Sequence, residues 1–383
     1  MQRFILFGLL LIALTACSDQ SEQNQKTANY SRNVKIDSIS LKQIQLPEFE
    51  TSFIGGFRIY NDAIHFIDKE LGKIFQFSDN GELMGVFMGR GDGPYEINTA
   101  IDGYLNLKSG DHLFLGSSFD LHLHKKKNYE QLNNYFISWE GEQDVNKVRS
   151  SSTPDVNQFA LYTLDYQNLL LREGKDGNVY IPIYGETQYF NGLNSDLYYE
   201  KGKILARMEI ESGKVKEVLG SRSPRYLENQ YLPHHASFSY DIDSLNNFYV
   251  SHEIDSLIYK YDQDFELISA FGVKGNNMNT NYTAIKDFNL KLFRTLYFED
   301  RPKLGWYYHV EFIDELGLLF RSYTKGEHCD YDGLQILENE TLIADLSVPK
   351  GFKVKGYIKP YVYGEVISEL SEQLKLYKFE VSI

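Results

Sequence analysis

Two stretches of this chain lie over each other without a gap: IFQFSDNGELMGVFMGRG at 74–91 and IYKYDQDFELISAFGVKG at 258–275. Phe75, Phe77, Glu82, Leu83, Phe87 and Gly91 fall opposite Tyr259, Tyr261, Glu266, Leu267, Phe271 and Gly275. Each stretch reads as an alternating strand, a turn of Asp, Asn or Gly type, and a second strand running to a glycine. A short strand precedes each, AIHFID at 63–68 and NFYVSHE at 247–253. A unit repeated in this way cannot bury its apolar faces alone, so its copies must stack or close on one another.

Applied along the chain, the template gives successive groups of four strands. They fall at 53–60, 63–68, 73–78 and 83–88, then at 101–107, 112–117, 120–126 and 132–138. The third group is 168–173, 179–185, 203–211 and 214–219; the fourth is 237–243, 247–253, 257–262 and 267–272. A fifth covers 307–313, 316–323, 331–337 and 341–347. The last has only three strands, 357–362, 364–369 and 374–382. Its missing member is expected at the other end of the chain, as IDSISLKQIQLP at 36–47, so that both ends share one sheet. Such closure leaves only short edges exposed. The expectation is an all-β, six-bladed β-propeller over 35–383, with a possible seventh blade in 139–167 as the alternative. Only 276–300 reads as helical, with Ile285, Phe288, Leu292 and Phe293 near helical spacing.

The amino end carries a different signal. Arg3 precedes an apolar run from Phe4 to Ala16, shorter than the ~20 residues of a membrane-spanning helix. The run ends Leu14-Thr15-Ala16-Cys17, which resembles a bacterial lipobox. That resemblance implies a leader over 1–16, lipidation at Cys17, and membrane attachment through the lipid. Residues 17–34 are polar and aperiodic, and read as a flexible tether. Cys329 is the one other cysteine, so a lipidated Cys17 leaves no intrachain disulfide. The formal charge of −14 repels nucleic acid in general, and none is expected as a partner.

The lipobox, the repeated strand–turn–strand and the exit Gly93-Pro94-x-Glu96 together resemble the TolB-like, NHL-like six-bladed propeller lipoproteins of Bacteroidetes. The resemblance implies the fold and an envelope location; Ser18 after Cys17, where proteins held at an inner membrane carry aspartate, points to the outer membrane, on a periplasmic or surface face. The resemblance brings no catalytic residues.

GRGDGPYEI at 89–97 sits between the first two groups. A phosphate cradle needs a helix after its glycines, and here Pro94 and a strand follow. The stretch therefore reads as a crossover turn, with glycines supplying positive φ. Similar crossovers at 139–167, 220–236 and 273–306 are long, and in a propeller all of them share one face. That face is the expected recognition surface.

Its loops carry residue types common at binding hot spots: Arg90, Tyr95, Arg225, Tyr231, His234 and Trp306. A glycan, a peptide or a partner protein would suit them. A metal-dependent hydrolase or lyase at the channel mouth is the alternative, with His234, His235 and Asp241 as candidate ligands of calcium or zinc. His122 and His124 share one strand face near His112, but Leu121 and Leu123 claim the buried side, so the histidines are expected in solvent. No GxSxG, HExxH, EF-hand loop or paired CxxC occurs.

Overall fold

The computed structural model describes residues 28–139, 144–166, 169–228, 231–285 and 289–382. The leader, Cys17 and Phe288 lie outside these residues. Six antiparallel sheets are present, each formed by consecutive strands except where the chain ends meet.

Blade 1 is Gly55–Tyr60, Ala63–Asp68, Lys73–Phe77 and Leu83–Met88. Blade 2 is Ile101–Asn106, His112–Gly116, Asp120–His124 and Gln131–Phe136. Blade 3 has a split inner strand, Tyr162–Leu164 and Arg172–Glu173, followed by Asn178–Thr187, Leu205–Glu209 and Val215–Leu219. Blade 4 is Phe238–Ile242, Phe248–His252, Ile258–Tyr261 and Leu267–Phe271. Blade 5 is Tyr307–Ile313, Leu318–Tyr323, Tyr331–Glu338 and Thr341–Pro349. Blade 6 is Lys353–Ile358, Tyr361–Ser368 and Gln373–Phe379, and Lys42–Ile44 completes it.

The closure is explicit: Lys42, Gln43 and Ile44 pair antiparallel with Lys378, Tyr377 and Leu376. No seventh blade occupies the described part of 139–167; it holds a short helix, Val145–Arg149, and the first piece of blade 3's inner strand. The last group starts earlier than its sequence suggested. Lys359 and Pro360 make the hairpin turn that had been read as mid-strand, as expected of a residue that lacks a ladder N–H. The helical reading of 276–300 narrows to Leu290–Thr295 and its continuation Leu296–Asp300. Leu292 is exposed there, while Ile285 is buried in a bridge to Tyr231.

Local chemistry explains the hairpins. Asn61 and Asp62, and again Asn339 and Glu340, both have positive φ, the two-residue turn whose twist matches the flanking strands. The apolar faces then stack blade on blade. Phe57, Phe66 and Phe75 meet Tyr363 and Leu376 between blades 1 and 6, and Ile44 joins them. Phe320 and Ile336 meet Val354 and Phe379 between blades 5 and 6. Comparable clusters fill the other four junctions. The ring is closed by packing as well as by hydrogen bonds.

Residues 29–36 follow an unexpected course. Within the segment read as a tether, Asn29 accepts from Gly272 and donates to Ala270 at the outer edge of blade 4. Ser31, Asn33 and Lys35 then bond to Leu342 and Ile343 at the outer edge of blade 5. The chain reaches its closing strand as a strap across two neighbouring blades.

Candidate functional site

In each blade the outer strand ends on the same face at which the next inner strand begins, because neighbours alternate in direction. The crossovers therefore gather on one face, around the upper end of the central channel.

GRGDGPYEI is a turn on that face, but its glycines do not serve as expected. None of Gly89, Gly91 and Gly93 has positive φ; Met88, just before them, does. What requires glycine is a close approach. The Glu96 carboxylate folds back to accept from the Gly93 N–H at 2.9 Å, and a Cβ on Gly91 would lie 2.2 Å from it. Gly-Pro-x-Glu is a turn closed by its own glutamate.

The rim residues are held mainly by each other and by the blades. Arg90 is exposed, 3.8 Å from the Glu70 carboxylate, and Tyr95 is exposed beside it in sequence. Arg225 is exposed and pairs with Glu228. Tyr231 stacks on Tyr199 and donates to Asp196 at 2.7 Å. His234 and His235 are buried. Arg301 gathers the last two crossovers: it donates to both Glu253 oxygens at 2.7 Å, to His235 Nδ1 at 2.9 Å and to the His234 carbonyl. Its guanidinium lies 4.2 Å over the Trp306 ring. Arg90 and Tyr95 belong to the crossover between blades 1 and 2, apart in the chain from this shelf.

The three proposed metal ligands do not converge. Asp241 accepts from Arg172 at 2.5 Å and from the Phe312 N–H at 2.7 Å. Among the described residues no group of three or more His, Cys, Asp or Glu is placed to hold a metal ion. His122 and His124, expected in solvent, are buried: His122 Nε2 contacts Asp120 at 2.6 Å, and His124 Nδ1 donates to the Tyr129 carbonyl at 2.7 Å.

One concave feature of this face is the channel mouth, a cavity of about 200 Å³ lined by all six blades. Blade 1 gives Arg58 and Lys69, blade 2 Asp102, blade 4 Ser239, blade 5 Tyr308 and His309, and blade 6 Lys353, Lys355 and Glu365. Tyr166 and Leu170 come from the blade 3 segment. Three of the inner strands carry a bulge here, and the extra residues are Asp102, Tyr308 and Lys355. A bulge turns one added side chain out of the sheet's alternation, and in this ring all three line the cavity.

Two residues deeper along three of these strands lies an ionic floor. Arg172 joins Asp241 at 2.5 Å and Glu311 at 2.7 Å, tying blades 3, 4 and 5 across the axis. His309 donates from Nε2 to the Val354 carbonyl at 2.7 Å, and burial with Lys355 and Lys353 nearby holds it neutral, well below the usual imidazole range. Burial and the neighbouring Arg58 push the Lys355 ammonium down to about 8. Burial, then Arg172, lowers Arg58; burial, then Arg58, lowers Lys69.

No basic residue of the mouth was singled out from the sequence. The available signal was weak: Arg58 is the one charged residue of Gly55–Tyr60, and Lys353 and Lys355 are the charged residues of Lys353–Ile358.

No family model matches the chain, and no curated protein matches it in sequence. By structure it is similar to a member of the DUF4221 family from Bacteroides vulgatus, with 14% identity, 90% of this chain and 99% of the other covered, and a TM-score of 0.63. It is also similar to a candidate exported protein from Bacteroides fragilis, at 11% identity, 93% and 99% coverage, and a TM-score of 0.56. Likeness at such identities defines a class by fold: the chain is a six-bladed β-propeller. Both of these solved structures come from Bacteroides.

Proposed function

We propose that this protein is a lipid-anchored binding module of the bacterial envelope, whose ligand enters the channel mouth between the crossover loops. The observation that carries the reading is the convergence of polar side chains from all six blades on one cavity at that face. Three bulges aimed into the same cavity support it, since each departs from regular pairing only there among the inner strands. The anchor rests on Leu14 to Cys17, and the exported neighbour agrees with an envelope location. The loops bearing Arg90, Tyr95, Arg225, Tyr231, His234 and Trp306 form the approach, which suits the charged or polar end of a glycan, a peptide or a protein segment.

Filling the mouth tests this. A Cβ on Gly56 would meet nothing nearer than 3.8 Å, and its φ is not positive, so Gly56→Leu is expected to start into the cavity without backbone strain. In ligand-observed magnetic resonance with glycans, peptides and organic acids, hits on the wild type should vanish in Gly56→Leu at an unchanged melting temperature. Hits that persist in the filled variant would overturn the assignment of the mouth.

A further inference from the structure

We propose that the channel mouth recognises an anionic oxygen group, a carboxylate or a phosphate, on a small ligand or at the end of a larger one. This rests on the mouth being the binding site. The mouth is basic although the chain as a whole carries −14: its lining holds Arg58, Lys69, Lys353 and Lys355 against Asp102 and Glu365, and Glu311 and Asp241 beneath them are already paired with Arg172.

The partners of those cations are too few. Arg58 donates to one acceptor, the Phe57 carbonyl at 2.9 Å, and forms no ion pair among the described residues. A guanidinium has five N–H donors in a fork suited to a carboxylate or phosphate. Among the described residues Lys69 bonds only to the Asp102 carbonyl, at 2.8 Å. Lys353 has no hydrogen bond or ion pair among the described residues. Lys355 stands 3.5 Å from Glu365, whose other oxygen already accepts from the Phe57 N–H at 2.7 Å. Ser239, 2% exposed and lining the same cavity, keeps a hydroxyl without a partner.

Positive groups withdrawn from water and left unpaired are costly unless an anion completes them. An incoming carboxylate or phosphate would supply acceptors to Arg58, Lys353 and Lys355 together, and would offset the burial that, with neighbouring cations, lowers the proton affinity of Arg58 and Lys355. The cavity is smaller than the roughly 300–1,000 Å³ of typical ligand pockets, which fits one charged group.

The test is calorimetric titration of the whole protein in non-ionic detergent with inorganic phosphate, citrate and glucose at low ionic strength. Saturable binding of phosphate, of citrate or of both is expected, and which one binds identifies the source of the anionic group. Lys353→Met should weaken that binding by about tenfold or more, with no loss of melting temperature because Lys353 holds nothing in the fold. Arg58→Met should weaken it further, and is read only if it melts as the wild type does. Failure of both anions to bind, or binding indifferent to Lys353→Met, overturns the proposal. A neutral ligand that Gly56→Leu excludes and Lys353→Met leaves alone would remove the anion while keeping the mouth as the site.

Discussion

Histidine is where single residues govern the behaviour of this protein. Eight of its nine imidazoles are buried, and His328 is the exception. Burial pushes His65, His234 and His252 down to about 3 and His112 to about 4. In the unfolded chain they titrate near 6.5, so below that pH the unfolded state binds more protons than the folded one. Their contribution is complete above about pH 6.5 and is lost as pH falls toward the folded values. Each adds a slope of up to about 1.4 kcal/mol per pH unit in that window. The urea midpoint should therefore fall steadily between pH 7 and pH 4.5; a flat midpoint would mean that these rings are charged or hydrated in the native state. The sequence misled here because alternation assigns a histidine between leucines to the solvent face. In a propeller both faces of a middle strand are covered by neighbouring blades, and His122 and His124 are buried by that stacking.

Strand order was legible at the level of elements, since hydrophobic alternation and turn residues are local signals. Asn61-Asp62 and Asn339-Glu340 mark hairpins in the sequence as plainly as in the structure. Boundaries slipped where one residue carried the information, as at Pro360. The three inner-strand bulges were invisible, because an inserted residue changes the pairing and leaves the local pattern almost intact. The closing strand is the element most open to test. Ile44 is 5% exposed and packs with Phe57, Phe77 and Leu376, whereas Leu83, on the outer strand of blade 1, is 40% exposed. Ile44→Ala should cost about 2–4 kcal/mol by chemical denaturation, and Leu83→Ala within about 0.5 kcal/mol of nothing. Equal losses would mean that the closing strand packs no better than an exposed edge.

On the scale of the molecule, the ring was readable and the site was not. Six similar groups with one short by a strand state their own closure. The mouth is assembled from positions hundreds of residues apart, such as Arg58 and Glu365, and only the closed ring brings them together. Rim residues stood out by type, yet Tyr231, His235 and Trp306 spend their faces on Tyr199, Tyr282 and Arg301. The strap separates two kinds of loss. Removing residues up to 35 should lower the melting temperature by about 1–2 °C for each kcal/mol of lost edge bonding and leave one transition. Removing residues up to 47 should also take away the closing strand and split or broaden that transition in a calorimetric scan. Identical traces for the two truncations would deny the closing strand its separate role.

The same strap decides how the protein takes a mechanical load. A pull on the amino end does not tug at one sheet; it reaches the rim of blade 4, then blade 5, and only last the seam between Lys42–Ile44 and Gln373–Phe379. Tension applied there would spend itself peeling the strap bond by bond, like a seat belt paying out, before the ring felt any force to open.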